Sequence, residues 1–209
     1  MLNQVHVKQV KEQQEKIHDD SDQVRASSYA LLAALLANPA SEALLSQLRE
    51  IETDKNDLKD IVNAWCMLKL VAQRHDAEAI VDEYHVLFIG IGRGELVPFA
   101  SWYLTGFLME KPLAHLRQRL SELGFEQQED VYEPEDHVAA LCEVISQLIL
   151  DEDTDFETER AFYEDFIGNW MKRFFNDLQK TESSGFYRAV GQLGEAFLDI
   201  EDRYFSMMV

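Results

Sequence analysis

The segment from Glu133 to His137, EPEDH, gathers side chains that are common in active sites and binding sites. It holds three carboxylates and one histidine within five residues. Such groups can accept hydrogen bonds from guanidinium groups, ligate metal ions or transfer protons. A helical pattern follows from His137 to Leu150. The segment therefore has to be judged both as a helix start and as a chemical site.

Part of this segment fits the start of a helix. Glu133 can serve as the N-cap, and Pro134 suits the first helical turn. Glu135 and Asp136 favour the positive end of the helix dipole. A histidine gains nothing from that dipole, so helix formation does not account for Asp136 followed by His137.

Ser101, Asp136 and His137 supply the residue types of a hydrolase triad, but their context argues against one. No Gly-x-Ser-x-Gly sequence surrounds Ser101. Adjacent residues of a helix project about 100° apart, so Asp136 is poorly placed to orient His137. The sequence has no His-x-x-x-His or Cys-x-x-Cys pair, so it predicts no metal site.

The loop from Gly90 to Pro98, GIGRGELVP, contains three glycines and could cradle a phosphate. A dinucleotide fingerprint needs glycine where this chain has Glu95, and no Gly-Lys-Ser/Thr sequence marks a P-loop. The Glu95 carboxylate would also repel a phosphate. The simpler interpretation is a connection between helices that needs positive φ. A guanine-nucleotide-binding helical protein that uses Gly90–Gly94 stays an alternative.

Apolar residues recur at helical spacing along most of the chain, and period-two alternation is nearly absent, so we predict an all-α fold. The first twenty residues are polar and predict a frayed helix or a tail, with Ser21 or Asp22 as the cap of the first core helix. The predicted helices cover about 24–37, 41–48, 54–71, 76–88, 103–123, 137–150, 156–180 and 186–204.

The acidic stretch FEQQEDVYEPE separates two groups of helices. We predict a helical bundle of two subdomains, residues 1–123 and 124–209, joined by an acidic hinge near 124–135. The charged run Asp151–Asp155 predicts a solvated turn that caps the next helix. Aromatic residues at a spacing of four predict core packing, with a peptide groove as the alternative. These are Phe162, Phe166, Trp170 and Phe174.

The charge balance limits the possible partners. The chain has 209 residues, with 19 basic against 39 acidic side chains and a net charge of −20. Such a surface repels nucleic acid and anionic lipid and attracts a basic partner. We therefore expect no nucleic-acid binding.

Cysteine usage and hydropathy bear on the compartment. Cys66 and Cys142 lie in apolar helical patterns and predict reduced core thiols without a disulfide. The N-terminal residues lack the apolar core of a signal peptide, and no run of about 18 apolar residues suggests a transmembrane helix. These features predict a cytoplasmic protein without membrane insertion.

Three motifs resemble the TorD/DmsD family, cytoplasmic chaperones for molybdenum-containing reductases exported by the twin-arginine route. They are DEYHVLFIG (Asp82–Gly90), PFASWY (Pro98–Tyr103) and EPEDHVAALCEVISQL (Glu133–Leu148). A weaker fourth match is SSGFYRAVGQL (Ser183–Leu193). The chain departs from the family in a longer stretch before Asp19 and in its glycine-rich loop.

The resemblance implies a binding protein, not an enzyme, with no cofactor of its own beyond weak GTP binding. The implied partners are a twin-arginine leader peptide and the apo-molybdoenzyme, held until cofactor insertion. The implied state is a monomer or a domain-swapped homodimer. The residues that the resemblance implicates are Pro98, Ser101, Tyr103, Asp136 and His137, flanked by Tyr84 and Leu87.

The residue types suggest how such a site would work. Glu135 and Asp136 can accept bidentate hydrogen bonds from a guanidinium group, and His137 can donate or accept. Trp102 and Tyr103, with Phe99 beside them, can form an apolar wall. The remaining alternative is a non-catalytic helical adaptor in which the acidic cluster is only a cap.

Overall fold

The structure is a computed structural model that describes residues 2–53, 58–90, 93–127 and 133–207, with side chains from residue 20 onward. Within these ranges the chain is all-α, as predicted, with one antiparallel backbone pairing between Phe99 and His137. The helices are α1 (Leu2–Ala37), α2 (Glu42–Glu50), α3 (Lys59–Arg74), α4 (Ala77–Tyr84), α5 (Ala100–Thr105), α6 (Lys111–Glu122), α7 (Val138–Leu150), α8 (Phe156–Tyr163), α9 (Met171–Lys180) and α10 (Phe186–Met207). The π-helical turns His85–Ile89 and Glu164–Gly168 extend α4 and α8.

Local capping chemistry sets several helix ends as the sequence predicts. Ser41, Asp76 and Asp155 each accept a hydrogen bond from the backbone N–H three residues ahead. Gly124 follows α6 with a φ of 80°, the left-handed conformation common at a helix end. The prediction that Ser21 or Asp22 caps the first helix is wrong, because α1 runs without a break from Leu2.

Two predicted helices are broken in the structure. The helix expected over 103–123 is α5 and α6, because Gly106 ends α5 at a φ of 84° and Pro112 lies in the first turn of α6. The helix expected over 156–180 breaks at Trp170, which has a φ of −146°. The apolar spacing continues across both breaks, which is why periodicity alone misses them. The predicted start at Asp54 lies outside the described residues, and α3 begins at Lys59.

The core contains residues from most helices. Helix α1 packs against α7, and α10 packs against α9 and α3. Core side chains come from both sides of the predicted boundary at 123/124. The division into two subdomains stays a prediction, and hinge residues 128–132 lie outside the described residues. The aromatic series is buried, which confirms the core interpretation: Phe162, Phe166, Trp170 and Phe174.

Both cysteines are free thiols, but only one is a core residue. Cys142 is fully buried, whereas Cys66 is exposed on α3, so the core prediction for Cys66 is wrong. Cys66 lies on the solvent-facing side of α3, whereas the core-facing side carries Ile61, Ala64, Leu68 and Ala72. In the described part of the chain, no helix is both long and apolar enough to cross a bilayer.

A buried ion cluster fixes α1 to the C-terminal helices. The Arg25 guanidinium donates to Glu201 on α10 at 2.7 and 2.8 Å and to Glu159 on α8 at 2.5 Å. It also donates to Asp22 at 3.1 Å and stacks on the Tyr204 ring at 3.9 Å. Because Arg25 and Glu201 are almost without solvent contact, each charge depends on the other for its stabilisation.

Candidate peptide-binding site

The segments PFASWY and EPEDH, far apart in sequence, meet at the start of α7. The backbone N–H of Ala100 donates to the Asp136 carbonyl at 2.9 Å, and that of Val138 donates to the Pro98 carbonyl at 2.8 Å. The Asp136 carboxylate accepts the Ser101 N–H at 2.8 Å and also the Ser101 hydroxyl. The start of α5 and the start of α7 are therefore locked together.

His137, not Glu133, is the N-cap of α7. Its Nδ1 atom accepts the backbone N–H of Ala139 at 3.2 Å, and the helix begins at Val138. The predicted helix start at Glu133 and Pro134 is wrong, because these residues belong to the turn held by Asp136. Burial lowers the pKa of His137 to about 4, so the imidazole is neutral near neutral pH.

Most of the predicted peptide-binding side chains are buried and have partners within the protein. Tyr84 donates to the carbonyls of Leu36 and Ala37 at the end of α1. Tyr103 packs against the rings of Trp170 and Phe174. The buried members of the predicted set are Tyr84, Leu87, Pro98, Ser101, Tyr103, Asp136 and His137.

The other two members, Trp102 and Glu135, are partly exposed. The Arg93 guanidinium lies 4.6 Å from the Trp102 ring centroid, which joins the glycine-rich loop to α5. The Glu135 carboxylate accepts the Arg117 Nε–H at 3.0 Å and lies 2.9 Å from its Nη2. The two carboxylates that are predicted to bind an arginine of the peptide thus already have partners. Glu135 binds Arg117, and Asp136 binds Ser101.

An open groove of about 820 Å³ lies beside this junction. Its apolar surface comes from residues such as Leu120, Phe125 and Val144. Four glutamates and one arginine also line it, and that arginine is the Arg117 that binds Glu135. The lining residues are Ala37, Asn38, Arg117, Leu120, Phe125, Glu126, Gln127, Glu133, Pro134, Glu135, His137, Ala139, Ala140, Glu143, Val144 and Gln147.

The acidic side chains of this groove differ in their surroundings. Glu126, Glu133 and Glu143 are exposed. The neighbouring protein atoms still remove part of the hydration of the Glu133 carboxyl, which raises its pKa. The Glu133 carboxylate lies 3.8 Å from Nε2 of His137. An arginine side chain in the groove would meet several carboxylates that accept hydrogen bonds in pairs.

Sequence reasoning missed much of this groove. It placed Glu133 in a helix cap and did not single out Glu126 or Glu143. One signal was available: small Ala139 and Ala140 precede Glu143 on α7, and small residues leave space along a helix face. The opposite wall, from α6, could not be found without knowing how α6 and α7 pack.

Asp136 lines a different, smaller cavity of about 280 Å³. Leu104 and Leu116 supply apolar surface there, and His115 and Asp165 supply polar groups. The predicted site residues are therefore divided between two depressions: Glu135 and His137 face the large groove, and Asp136 faces the small one.

The glycine-rich loop folds back on the end of α4. A Cβ atom on Gly90 would lie 2.1 Å from the Arg93 carbonyl oxygen, so this position requires glycine. The backbone N–H groups of Glu95 and Leu96 donate to the carbonyls of Val86 and Leu87, which leaves them unavailable to a phosphate. Nucleotide binding stays an untested prediction, and loop residues 91 and 92 lie outside the described residues.

Across the residues that are described, no group of three or more His, Cys, Asp or Glu side chains could hold a metal ion.

Comparisons with known proteins agree with this architecture. The profile of the family described as nitrate reductase delta subunit matches residues 54–176. The chaperone protein TorD of Vibrio parahaemolyticus is 26% identical over 86% of this chain and 94% of its own length. The TorD of Aliivibrio fischeri is 28% identical over 87% of this chain and 94% of its own length.

A solved structure shares the fold. The crystal structure of an Archaeoglobus fulgidus protein assigned to redox enzyme maturation matches with a TM-score of 0.51 and 20% identity, over 82% of this chain and 93% of the other. The chain therefore belongs to the family described as nitrate reductase delta subunit, and within it to the TorD proteins. Its relatives in this family are named as chaperones, and the chain is accordingly a chaperone rather than an enzyme.

Proposed function

We propose that this protein binds the twin-arginine leader of an apo-molybdoenzyme in the groove between α6 and α7, in the cytoplasm, until the cofactor is inserted and the enzyme is exported. The observation that carries the proposal is the combination of an apolar groove surface with four glutamates, two of which belong to the EPEDH segment. A leader peptide has the matching chemistry, two arginines followed by an apolar stretch.

The acidic groove accounts for the arginine pair. Glu133 and Glu143 are exposed and line the groove, so a guanidinium group can reach both without breaking an interaction of the folded protein's core. Glu135 is already held by Arg117, and an incoming arginine would have to share or displace that partner. The net charge of −20 raises the rate of encounter with a basic peptide.

The apolar part of the leader would lie against Leu120, Phe125 and Val144. Burial of apolar surface contributes roughly 25 cal/mol per Å², so this contact supplies affinity while the carboxylates supply selectivity. The groove volume of about 820 Å³ lies within the range of about 300–1,000 Å³ that is common for ligand-binding pockets.

The buried residues of the predicted site act as supports in this proposal. Asp136 and Ser101 fix the turn that carries Glu133 and Glu135, and His137 fixes the start of the α7 wall. These are positioning residues, and their substitution would weaken leader binding through the shape of the groove.

Calorimetric titration with a synthetic twin-arginine leader peptide tests the proposal. The double variant Glu133→Gln/Glu143→Gln removes two groove charges, and we expect it to weaken binding by about tenfold or more. The matched control, Glu152→Gln/Asp153→Asn, removes two charges from the exposed turn after α7 and should change the affinity by less than about twofold.

Two outcomes would count against the proposal in different ways. Equal weakening by both double variants would show that only net charge matters and would remove the groove as the site. An absence of binding between the leader peptide and the wild-type protein would remove leader recognition itself.

A further inference from the structure

Among the described residues that line the groove beside the EPEDH turn, Arg117 is the one arginine. It lies on the same face of α6 as Leu120, which supplies part of the apolar surface of the groove. Both carboxylate oxygens of Glu135 accept the Arg117 Nε–H at 3.0 Å, and Nη2 lies 2.9 Å from one of them. The groove thus already contains the kind of ion pair that a leader arginine would form.

The two members of this ion pair differ in their contact with solvent. The Arg117 side chain is 55% exposed, whereas that of Glu135 is 16% exposed. Among the described residues, Arg117 donates hydrogen bonds to Glu135 alone, so its guanidinium can turn into solvent once that contact is broken. A carboxylate with little access to water depends on a nearby cation, so Glu135 needs a replacement whenever Arg117 leaves.

A leader arginine is the closest chemical substitute for Arg117. A guanidinium group carries its N–H donors in a planar fork that matches the two oxygens of a carboxylate. The exchange of one guanidinium for another keeps the charge of Glu135 compensated before and after binding. A lysine ammonium is a point charge, and its contact is weaker than the ion pair that it would have to break.

We propose that Arg117 is an internal competitor of the leader: it occupies Glu135 in the free protein and is displaced when a leader arginine takes its place. The inference rests on the proposed function and adds a device that limits the strength of leader binding. Because each leader replaces an existing ion pair, the net gain at Glu135 is the difference between two similar contacts. This weakens the complex and favours release of the leader before export.

The alternative to a competitor is a purely structural ion pair. In that case Arg117 only ties α6 to the turn before α7, and its removal loosens the wall of the groove. Loosening the wall would weaken leader binding or leave it unchanged, whereas removing a competitor strengthens it. The two roles therefore predict different directions for the change in affinity.

Calorimetric titration with a synthetic twin-arginine leader peptide separates these roles. Arg117→Ala should raise the affinity by about fivefold, because the leader no longer has to break the ion pair. Arg119→Ala is the matched control, since Arg119 also lies on α6 but pairs with Glu122 and is not among the described residues that line the groove. The control alters the net charge by the same amount and should change the affinity by less than about twofold.

Two further comparisons assign the gain to Glu135 and to a guanidinium group. In a Glu135→Gln background, Arg117→Ala should change the affinity by less than about twofold, because competitor and leader have lost their shared carboxylate. The leader arginines are also replaced one at a time. At the position that contacts Glu135, lysine should reduce the gain from Arg117→Ala, and glutamine should abolish it.

Arg117→Lys replaces Arg117→Ala if the alanine variant does not fold. Lysine keeps a positive charge beside Glu135 but holds it at a single point, so it is displaced more easily than arginine. The affinity for the leader should then rise by about twofold to threefold, with Arg119→Lys as the control. A nitrogen-15 NMR spectrum follows the displacement itself: the Nε–H signal of Arg117, assigned by its loss in the variant, should shift when the leader saturates the wild type.

The failure of this inference is distinguishable from failure of leader recognition. If the wild type binds the leader and Arg117→Ala binds it no more tightly, the competitor role is wrong and leader recognition stands. An equal gain in Arg119→Ala, a gain that persists in the Glu135→Gln background, or an Arg117 signal that stays in place at saturation would also overturn the role. Absence of binding by the wild type and by every variant would remove leader recognition and this inference together.

Discussion

Asp136 owes its place in the fold to a contact with a residue that is distant in the sequence. Its carboxylate accepts two hydrogen bonds from Ser101, and its side chain is almost fully buried. The partner lies 35 residues earlier in the sequence, so local helix rules could not identify it. Those rules placed the cap at Glu133, whereas the long-range contact holds the preceding turn and leaves His137 as the cap.

Replacement of Asp136 by alanine should destabilise the fold. Asp136→Ala leaves the Ser101 N–H and hydroxyl buried without an acceptor, at a cost of about 2–5 kcal/mol in the free energy of unfolding. Urea denaturation measures this cost. Asp153→Ala, on an exposed turn, is the control and should change stability by less than about 0.5 kcal/mol. A loss no larger than that of the control would show that the Asp136–Ser101 contact contributes little.

His137 should make stability depend on pH in a defined window. Its pKa is about 4 in the folded protein and near 6.5 in an unfolded chain, so below pH 6.5 the unfolded state binds the extra proton. The free energy of unfolding therefore falls as pH decreases from 6.5 towards 4, by about 1.5 kcal/mol between pH 6.5 and 5.

The variant His137→Asn isolates this effect. Asparagine keeps an oxygen that can accept the Ala139 N–H, but it does not titrate. Urea denaturation at pH 7 and at pH 5 should show a smaller difference for the variant than for the wild type. Identical differences would mean that the buried imidazole is not the group that responds to pH.

At the scale of helices, the sequence predicts where a helix begins better than where a predicted helix is interrupted. The caps at Ser41, Asp76 and Asp155 use neighbouring residues and follow from local chemistry. The breaks at Gly106 and Trp170 were missed because apolar spacing continues through them. The start of α10 combines a local cap with a long-range one. The Ser184 hydroxyl oxygen accepts the Tyr187 N–H, and Glu83 on α4 accepts hydrogen bonds from the Ser184 hydroxyl and from the N–H groups of Gly185 and Phe186.

This contact predicts a large effect from a single substitution on α4. Glu83→Ala should lower the free energy of unfolding by about 2–3 kcal/mol, because it removes a charged acceptor from several donors at once. Asp82→Ala, at the exposed neighbouring position, is the control and should have an effect below about 0.5 kcal/mol. Chemical denaturation compares the two. Similar losses for both variants would contradict the role of Glu83 in holding the start of α10.

At the scale of the whole molecule, the all-α class follows from periodicity, but the grooves do not. The groove beside the EPEDH turn needs α1, α6 and α7 together, and no sequence pattern shows how these helices pack. The same holds for Arg25, whose partners Glu159 and Glu201 lie 134 and 176 residues away. The sequence alone cannot show that such charges are buried and paired, because their partners lie on distant helices.

The Arg25 cluster should behave as a buried ion pair. Arg25→Met leaves Glu201 buried without its partner and should cost about 3–5 kcal/mol of unfolding free energy. The double variant Arg25→Met/Glu201→Leu removes both charges and should be more stable than Arg25→Met alone. Thermal and urea unfolding measure both variants. A double variant that is less stable than the single one would show that Glu201 stabilises the fold through groups other than Arg25, which would contradict the ion-pair account.

Recognition of an arginine by the groove is the central claim, and a double-mutant cycle tests it most directly. Calorimetry would compare the wild type and Glu143→Gln, each with the leader peptide and with a peptide in which glutamine replaces one arginine at a time. The proposal predicts a coupling of about 1 kcal/mol or more between Glu143 and one of the arginines. Effects that add within about 0.3 kcal/mol for both arginines would contradict direct recognition by this carboxylate.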